Sequence, residues 1–185
     1  MKKISIALAF LSISLTIQAQ DKFFTKTGKI HFDATSAGSP EKIAAINKSV
    51  TCVIDIKTGN FQFAVLMKGF EFERALMEEH FNENYVESTK YPKTEFKGTI
   101  MNNTGVNYSK DGSYNVKVKG NLTMHGITKE VETNGSILIK AGKITASANF
   151  PLAFADYKIS IPTLVSDKVA TTAIISVDCS MEPLK

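Results

Sequence analysis

Phe70–Gly98 reads FEFERALMEEHFNENYVESTKYPKTEFKG, and this stretch decides the fold because it holds the one convincing helix in a chain of alternating strands. Leu76, Met77, His80 and Phe81 recur at helical spacing and share one side of a turn or two. Arg74 and Glu78, four apart, are placed to pair weakly on the wet side. Asn82 and Asn84 tolerate a left-handed exit from the helix. Pro92 biases Tyr91 toward extended geometry, so a new strand is expected from Thr94 to Ile100. A lone amphipathic helix needs an apolar surface to lie on, and the open end of a curved sheet supplies one. The segment is therefore expected to plug or lid one end of a barrel.

Working outward, period-two alternation recurs on both sides. Ile30, Phe32 and Ala34 share one face; so do Val50, Cys52, Ile54 and Ile56 before a turn at Thr58-Gly59-Asn60. Phe61, Phe63, Val65 and Met67 continue the pattern, which changes phase around Lys68-Gly69-Phe70, as a bulge or bend requires. Ile43–Ile46 fits either a helical turn or a strand. Beyond the helix come Thr94, Phe96, Gly98 and Ile100, then the clearest strand, with Tyr114, Val116, Val118, Leu122 and Met124 on one face. His125-Gly126 and Ala141-Gly142 turn the chain, Ile144, Ala146, Ala148 and Phe150 share a face, and Val169–Cys179 is the last strand.

Half-buried strands with turns every ten residues or so predict an all-β fold, an antiparallel sandwich or barrel. The chain has no Trp and no Cys…Trp…Cys spacing, which disfavours the immunoglobulin-type sandwich. A closed barrel of about eight strands has an interior that either fills with side chains or holds one small ligand. Bulky inward residues (Phe32, Phe63, Phe96, Phe150) alternate with small ones (Ala34, Gly98, Ala146, Ala148), a mixture that fits an interlocked core and an open lumen equally.

Residues 1–19 are expected to be a secretory signal peptide, with basic Lys2 and Lys3, an apolar run from Ile4 to Ile17 and cleavage after Ala19. That leaves one domain, 20–185, in a periplasmic or secreted protein. Its length of about 165 residues suffices for a full core. Removing Lys2 and Lys3 lowers the formal charge from +4 to +2, and the remaining charges are interspersed, which argues against nucleic acid as a partner. No other segment approaches the ~20 apolar residues of a membrane-spanning helix.

Cys52 and Cys179 fit a disulfide or two small buried hydrophobes, and neither belongs to a CxxC pair. His31, His80 and His125 lack the local pairing that fixes metal ligands, so no metal site is expected. His80 is expected to support the barrel rim and His125 the turn at Gly126. There is no G-x-S-x-G elbow and no phosphate-binding glycine loop, and Glu78-Glu79 splay apart on a helix; no enzyme activity and no cofactor are expected.

Two blocks resemble the YceI-like family of exported proteins. EEHFNENYVESTKYPKTEFKG (Glu78–Gly98) carries its His-hydrophobe, paired bulky residues and Tyr-Pro-x-x-x-Phe pattern. GNLTMHGITKEV (Gly120–Val131) carries its Gly-x-Leu-Thr-x-His-Gly-x-Thr-Lys pattern. The chain departs from the family at Glu130, where Pro is common, and at Phe72-Glu73-Arg74-Ala75, where an Arg-Asp pair is usual. The resemblance implies a lipocalin-like barrel with a helix near its mouth, holding a long isoprenoid chain such as that of a quinone.

The implied ligand wall is Ile30, Phe32, Ile54, Phe63, Val65, Phe96, Val118, Leu122, Met124 and Phe150, with Phe81 from the helix. Tyr157–Pro162 is the segment that discriminates, since an exposed apolar lip there would suit lipid uptake or a partner. Two functions follow: a carrier of an apolar lipid, or a solid-cored exported barrel that works as a stress-related protein-interaction module. A homodimer is left open.

Overall fold

Alternation becomes strand wherever the sequence marks it, and tight turns link three of the successive strand pairs. The computed structural model describes residues 21–184; the expected signal peptide lies outside the described residues. Among the described residues nine strands form: β1 (Lys22–Thr35), β2 (Ala44–Asp55), β3 (Asn60–Leu66), β4 (Phe70–Phe72), β5 (Lys93–Ile100), β6 (Gly112–Met124), β7 (Ile127–Lys140), β8 (Lys143–Ala153) and β9 (Val169–Pro183). Eight of them close a ring in the order β1-β9-β8-β7-β6-β5-β3-β2, and β2 pairs back onto β1. All pairings are antiparallel, and closure removes the free edges that an open sheet would present.

The turns follow their residues. His125-Gly126 and Ala141-Gly142 both hold positive φ at the two central positions (51° and 74°; 50° and 75°), the geometry of two-residue hairpins. Glu130 lies on β7 opposite Asn121, and its carboxylate reaches Lys119 on β6 at 3.0 Å. An acid here keeps a backbone N–H in the ladder and adds a weak surface ion pair.

The ambiguous Ile43–Ile46 leads into β2, and the phase change at Lys68-Gly69 is a 3₁₀ turn over Met67–Gly69. That turn bends the chain so that β2 pairs with β3 at Thr51–Ile54 and with β4 at Ala45–Asn47. Asn47 holds the bend. Fully buried, it donates from Nδ2 to Leu66 O at 2.9 Å and accepts at Oδ1 from Ser49 N at 2.9 Å. Asn47→Ala leaves both backbone groups without their partner and is expected to cost about 2 kcal/mol, measured as a fall in the urea midpoint at unchanged m-value.

The helical segment is shorter and tighter than its pattern suggests. α1 spans Ala75–His80, and a π-helical turn, Phe81–Tyr85, continues it. Of the four residues on the expected apolar side, Phe81 alone is buried; Leu76 is 60% exposed, because the first turn overhangs the barrel end instead of lying in it. The Arg74–Glu78 pair does not form: Arg74 reaches Glu41 on the β1–β2 loop at 2.7 Å, and Glu78 accepts from Phe72 N at 3.3 Å. The left-handed residue after the helix is Glu87 (φ 45°), not Asn82 or Asn84. Asn82 instead donates from Nδ2 to Glu78 O within the helical segment.

The segment Tyr157–Pro162 is tucked in. Tyr157 and Ile159 are buried, and the apolar residue that stands out is Leu164, 89% exposed on the following 3₁₀ turn, Thr163–Val165. The segment itself alternates: exposed Lys158 and Ser160 separate buried Tyr157 and Ile159 and half-buried Ile161, so its apolar face turns into the barrel instead of out.

Candidate functional site

The barrel is solid at one end and chambered at the other. The floor is built from Val50, Cys52, Ile54, Ile144, Cys179 and Met181, all essentially inaccessible. Cys52 and Cys179 are free thiols; Cys52 donates to Met181 Sδ at 3.6 Å, and the neighbouring Cys179 thiol together with burial hold its pKa well above the usual thiol range.

Above the floor, three apolar cavities follow one another toward the helix. The lower one, about 50 Å³, lies among Phe61, Phe63, Phe96, Val118, Leu122 and Phe150 on β3, β5, β6 and β8. The middle one, also about 50 Å³, is bounded by Ile30, Val65, Thr94, Leu152 and Ile175. The mouth cavity, about 280 Å³, lies under α1 and the β8–β9 loop, between Phe72, Leu76, Met77, Ile159, Ile161 and Val165. Phe63, Leu122 and Phe150 line both the lower and the middle cavities, while Phe32, Phe81 and Met124 line both the middle and the mouth. Three shared side chains thus stand at each junction between neighbouring cavities.

The aromatic geometry explains why space remains. Gly98 and Gly120 face each other across β5 and β6, and the Phe96 ring lies against that bare backbone. Phe63 stacks on Phe96 at 5.2 Å and 15°, so both rings lie close together instead of spreading across the lumen. At the other junction Phe81 meets Phe32 edge-on at 5.6 Å and Phe70 at 5.4 Å, and lies tilted against Phe72 at 5.0 Å.

Ten of the eleven residues expected to line a ligand wall therefore border these cavities. Ile54 borders none of the three and belongs to the floor. Period two tells which way a side chain points, not how high along the barrel axis it sits, and β2 carries Ile54 into the closed end.

The histidines separate. His31 faces outward, and His80 lines the mouth cavity. His125 is enclosed in a clasp: Nε2 lies 2.7 Å from Glu87 Oε2, Nδ1 lies 2.9 Å from Tyr157 O, and the Tyr91 ring meets the imidazole edge-on at 4.6 Å. Tyr91 also lies against Gly126, where a Cβ would come within 2.7 Å of its ring. The two motif blocks meet here, tying the segment after the helix to the β6–β7 turn and to the 3₁₀ turn Phe154–Tyr157. Burial, with Asp156 adding a smaller push, raises the Tyr157 hydroxyl to about 12. Among the described residues no three His, Cys, Asp or Glu side chains converge as a metal site would need, and no helix is long and apolar enough to cross a membrane.

Charge gathers at the rim of the mouth cavity. Glu41 from the β1–β2 loop bridges Arg74 before α1 (2.7 Å) and Lys168 before β9 (3.1 Å), and all three line the cavity. The residues lie up to 127 positions apart, and nothing in their sequence surroundings marks them as neighbours.

No curated protein matches the chain by sequence. Among solved structures, the fold is similar to a polyisoprenoid binding domain from Saccharophagus degradans implicated in plant cell wall breakdown, with 13% identity, a TM-score of 0.76, and 89% of this chain and 99% of that one covered. It is similar also to BcnA of Burkholderia cenocepacia, with 14% identity, a TM-score of 0.67, and 83% and 95% covered. At these identities the likeness is one of fold. The sequence profile of the YceI-like domain matches residues 8–180, nearly the whole chain, and with the eight-stranded barrel and its mouth helix now described, the protein belongs to the YceI-like family.

Proposed function

We propose that this protein is an exported carrier that sequesters a long apolar lipid, isoprenoid or quinone-like, inside its barrel and has no catalytic role. The observation that carries the reading is the row of three apolar cavities that adjoin through shared lining side chains. A tail enters under α1, fills the mouth cavity and advances as Phe32, Phe81 and Met124, then Phe63, Leu122 and Phe150, change rotamer. Burying roughly 300–400 Å² of tail at about 25 cal/mol per Å² yields roughly 8–10 kcal/mol gross. Association and ordering subtract several kcal/mol, so micromolar binding is reachable without a polar contact in the tube. The similarity in fold to a polyisoprenoid binding domain supports the same class of ligand.

The second reading, a solid-cored barrel that contacts other proteins, draws on the small size of the lower and middle cavities. Mass spectrometry of organic extracts from the purified protein separates the two. A stoichiometric co-purified lipid supports the carrier; a clean extract together with no binding of added long-tailed quinone sinks it. Val118→Trp fills the lower cavity from a half-buried position and is expected to weaken binding of a long-tailed quinone about tenfold while the barrel stays folded. Destabilisation with unchanged quinone affinity would refute the route through that cavity.

A further inference from the structure

We infer that the mouth takes the head of a monoanionic amphiphile, a carboxylate carried on a long apolar tail, between Arg74 and Lys168. The inference rests on the carrier reading for the tail and assigns the head, a carboxylate in place of an uncharged quinone ring. The mouth cavity is otherwise apolar, yet Arg74, Lys168, Glu41 and His80 all line it. Two permanent cations share one carboxylate, at 2.7 Å and 3.1 Å, and neither has another ion-pair partner among the described residues. The cavity's formal charge with His80 neutral is therefore +1.

Position strengthens the argument. Glu41 is the shielded member of the trio, with its side chain 22% exposed, whereas Arg74 and Lys168 are 67% and 47% exposed. The donor groups not turned to Glu41 are thus open to solvent on residues that line the cavity. Arg74 spends one terminal nitrogen, Nη1, on Glu41. Its guanidinium carries further N–H groups able to meet a second carboxylate, and the Lys168 ammonium has donors to spare. A tail threaded down the barrel leaves its head at this rim. One negative charge brings the cluster to neutrality, whereas a diphosphate head would leave it over-compensated beside Glu41. A head with no charge would accept a hydrogen bond from the pair but gain no ion pairing.

The test is equilibrium dialysis of the full chain against palmitate and hexadecanol, which share a tail, at submicellar concentration and pH 8. The wild type is expected to bind palmitate about tenfold more tightly, with the preference shrinking as salt screens the rim. In the Arg74→Gln/Lys168→Gln double variant the ratio of the two affinities is expected to fall to within about twofold. A mere structural role for the pair would lower both affinities and leave the ratio intact, which overturns the inference. Equal binding of palmitate and hexadecanol by the wild type overturns the inference alone. Failure of the wild type to bind palmitate overturns the inference, and failure to bind a long-tailed quinone as well overturns the carrier reading with it. Displacement of palmitate by an equal concentration of acetate would also overturn the inference, since the site would then serve free carboxylates.

Discussion

Replacing Phe81 with alanine is expected to lower the stability of the barrel by about 3–5 kcal/mol and, at the same time, to open its lumen. Phe81 is 6% exposed, and its ring contacts those of Phe32, Phe70 and Phe72 at 5.0–5.6 Å. Those edge-on and tilted contacts are lost together with the transfer free energy of the ring. The π-helical turn that begins at Phe81 then has no buried anchor where the helical segment meets the barrel end. Because Phe81 lines both the mouth and the middle cavities, its removal also merges them. Urea unfolding reads the first effect as a lower midpoint at unchanged slope, and stopped-flow uptake of a long-tailed quinone reads the second as a faster rate. A loss below about 1 kcal/mol would mean that the ring is only loosely held between the cavities on its two sides.

Gly120→Ala is the second large effect, and it concerns the wall. A Cβ at Gly120 would come within 2.4 Å of Gly98 Cα and of Lys97 O, and within 2.8 Å of the Phe96 ring. The ring can move, but the paired backbone of β5 cannot without breaking the ladder. The expected cost is therefore at the upper end of overpacking, about 3 kcal/mol. For a chain of this size that corresponds to a fall in Tm of roughly 6–12 °C. Displaced from the wall, Phe96 turns into the lower cavity, so quinone binding is expected to weaken as well. Gly105→Ala, where a Cβ would meet nothing within 4 Å, is the control and is expected to leave Tm unchanged. A Gly120→Ala protein with wild-type Tm would show that the strands can separate at this pair at little cost.

Much of this was legible in the residues. Ile30, Phe32 and Ala34, or Val116, Val118, Leu122 and Met124, announce strands because a half-buried strand must alternate, whatever it packs against. The turns at Thr58-Gly59-Asn60, His125-Gly126 and Ala141-Gly142 follow from local backbone chemistry. The bend near Gly69 shows as a break in phase. The residue that fixes it, Asn47, lies 22 positions upstream, and only the pairing of β2 with β3 and β4 brings it there.

The candidate site divides in the same way. Inward direction is local information, and ten of the eleven wall residues inferred from it border a cavity, while Ile54 is carried into the floor by its height on the barrel axis. The motif blocks around Tyr91 and His125 carry the family resemblance in sequence, with His125 expected to support the turn at Gly126, and the tertiary structure joins them in the clasp around that turn.

Sequence by itself determined the strands, the all-β class, the helix between them and the apolar face of each strand, because each depends on side-chain period or on turns a few residues long; from period alone sandwich and barrel stayed open, and the barrel was what the family resemblance implied. Only the tertiary structure decided that the interior is a solid floor beneath three partitioned cavities, and that Glu41, Arg74 and Lys168 meet at the opening. Empty space and the company of distant charges arise from how strands stagger around a closed ring, and no local pattern encodes that stagger.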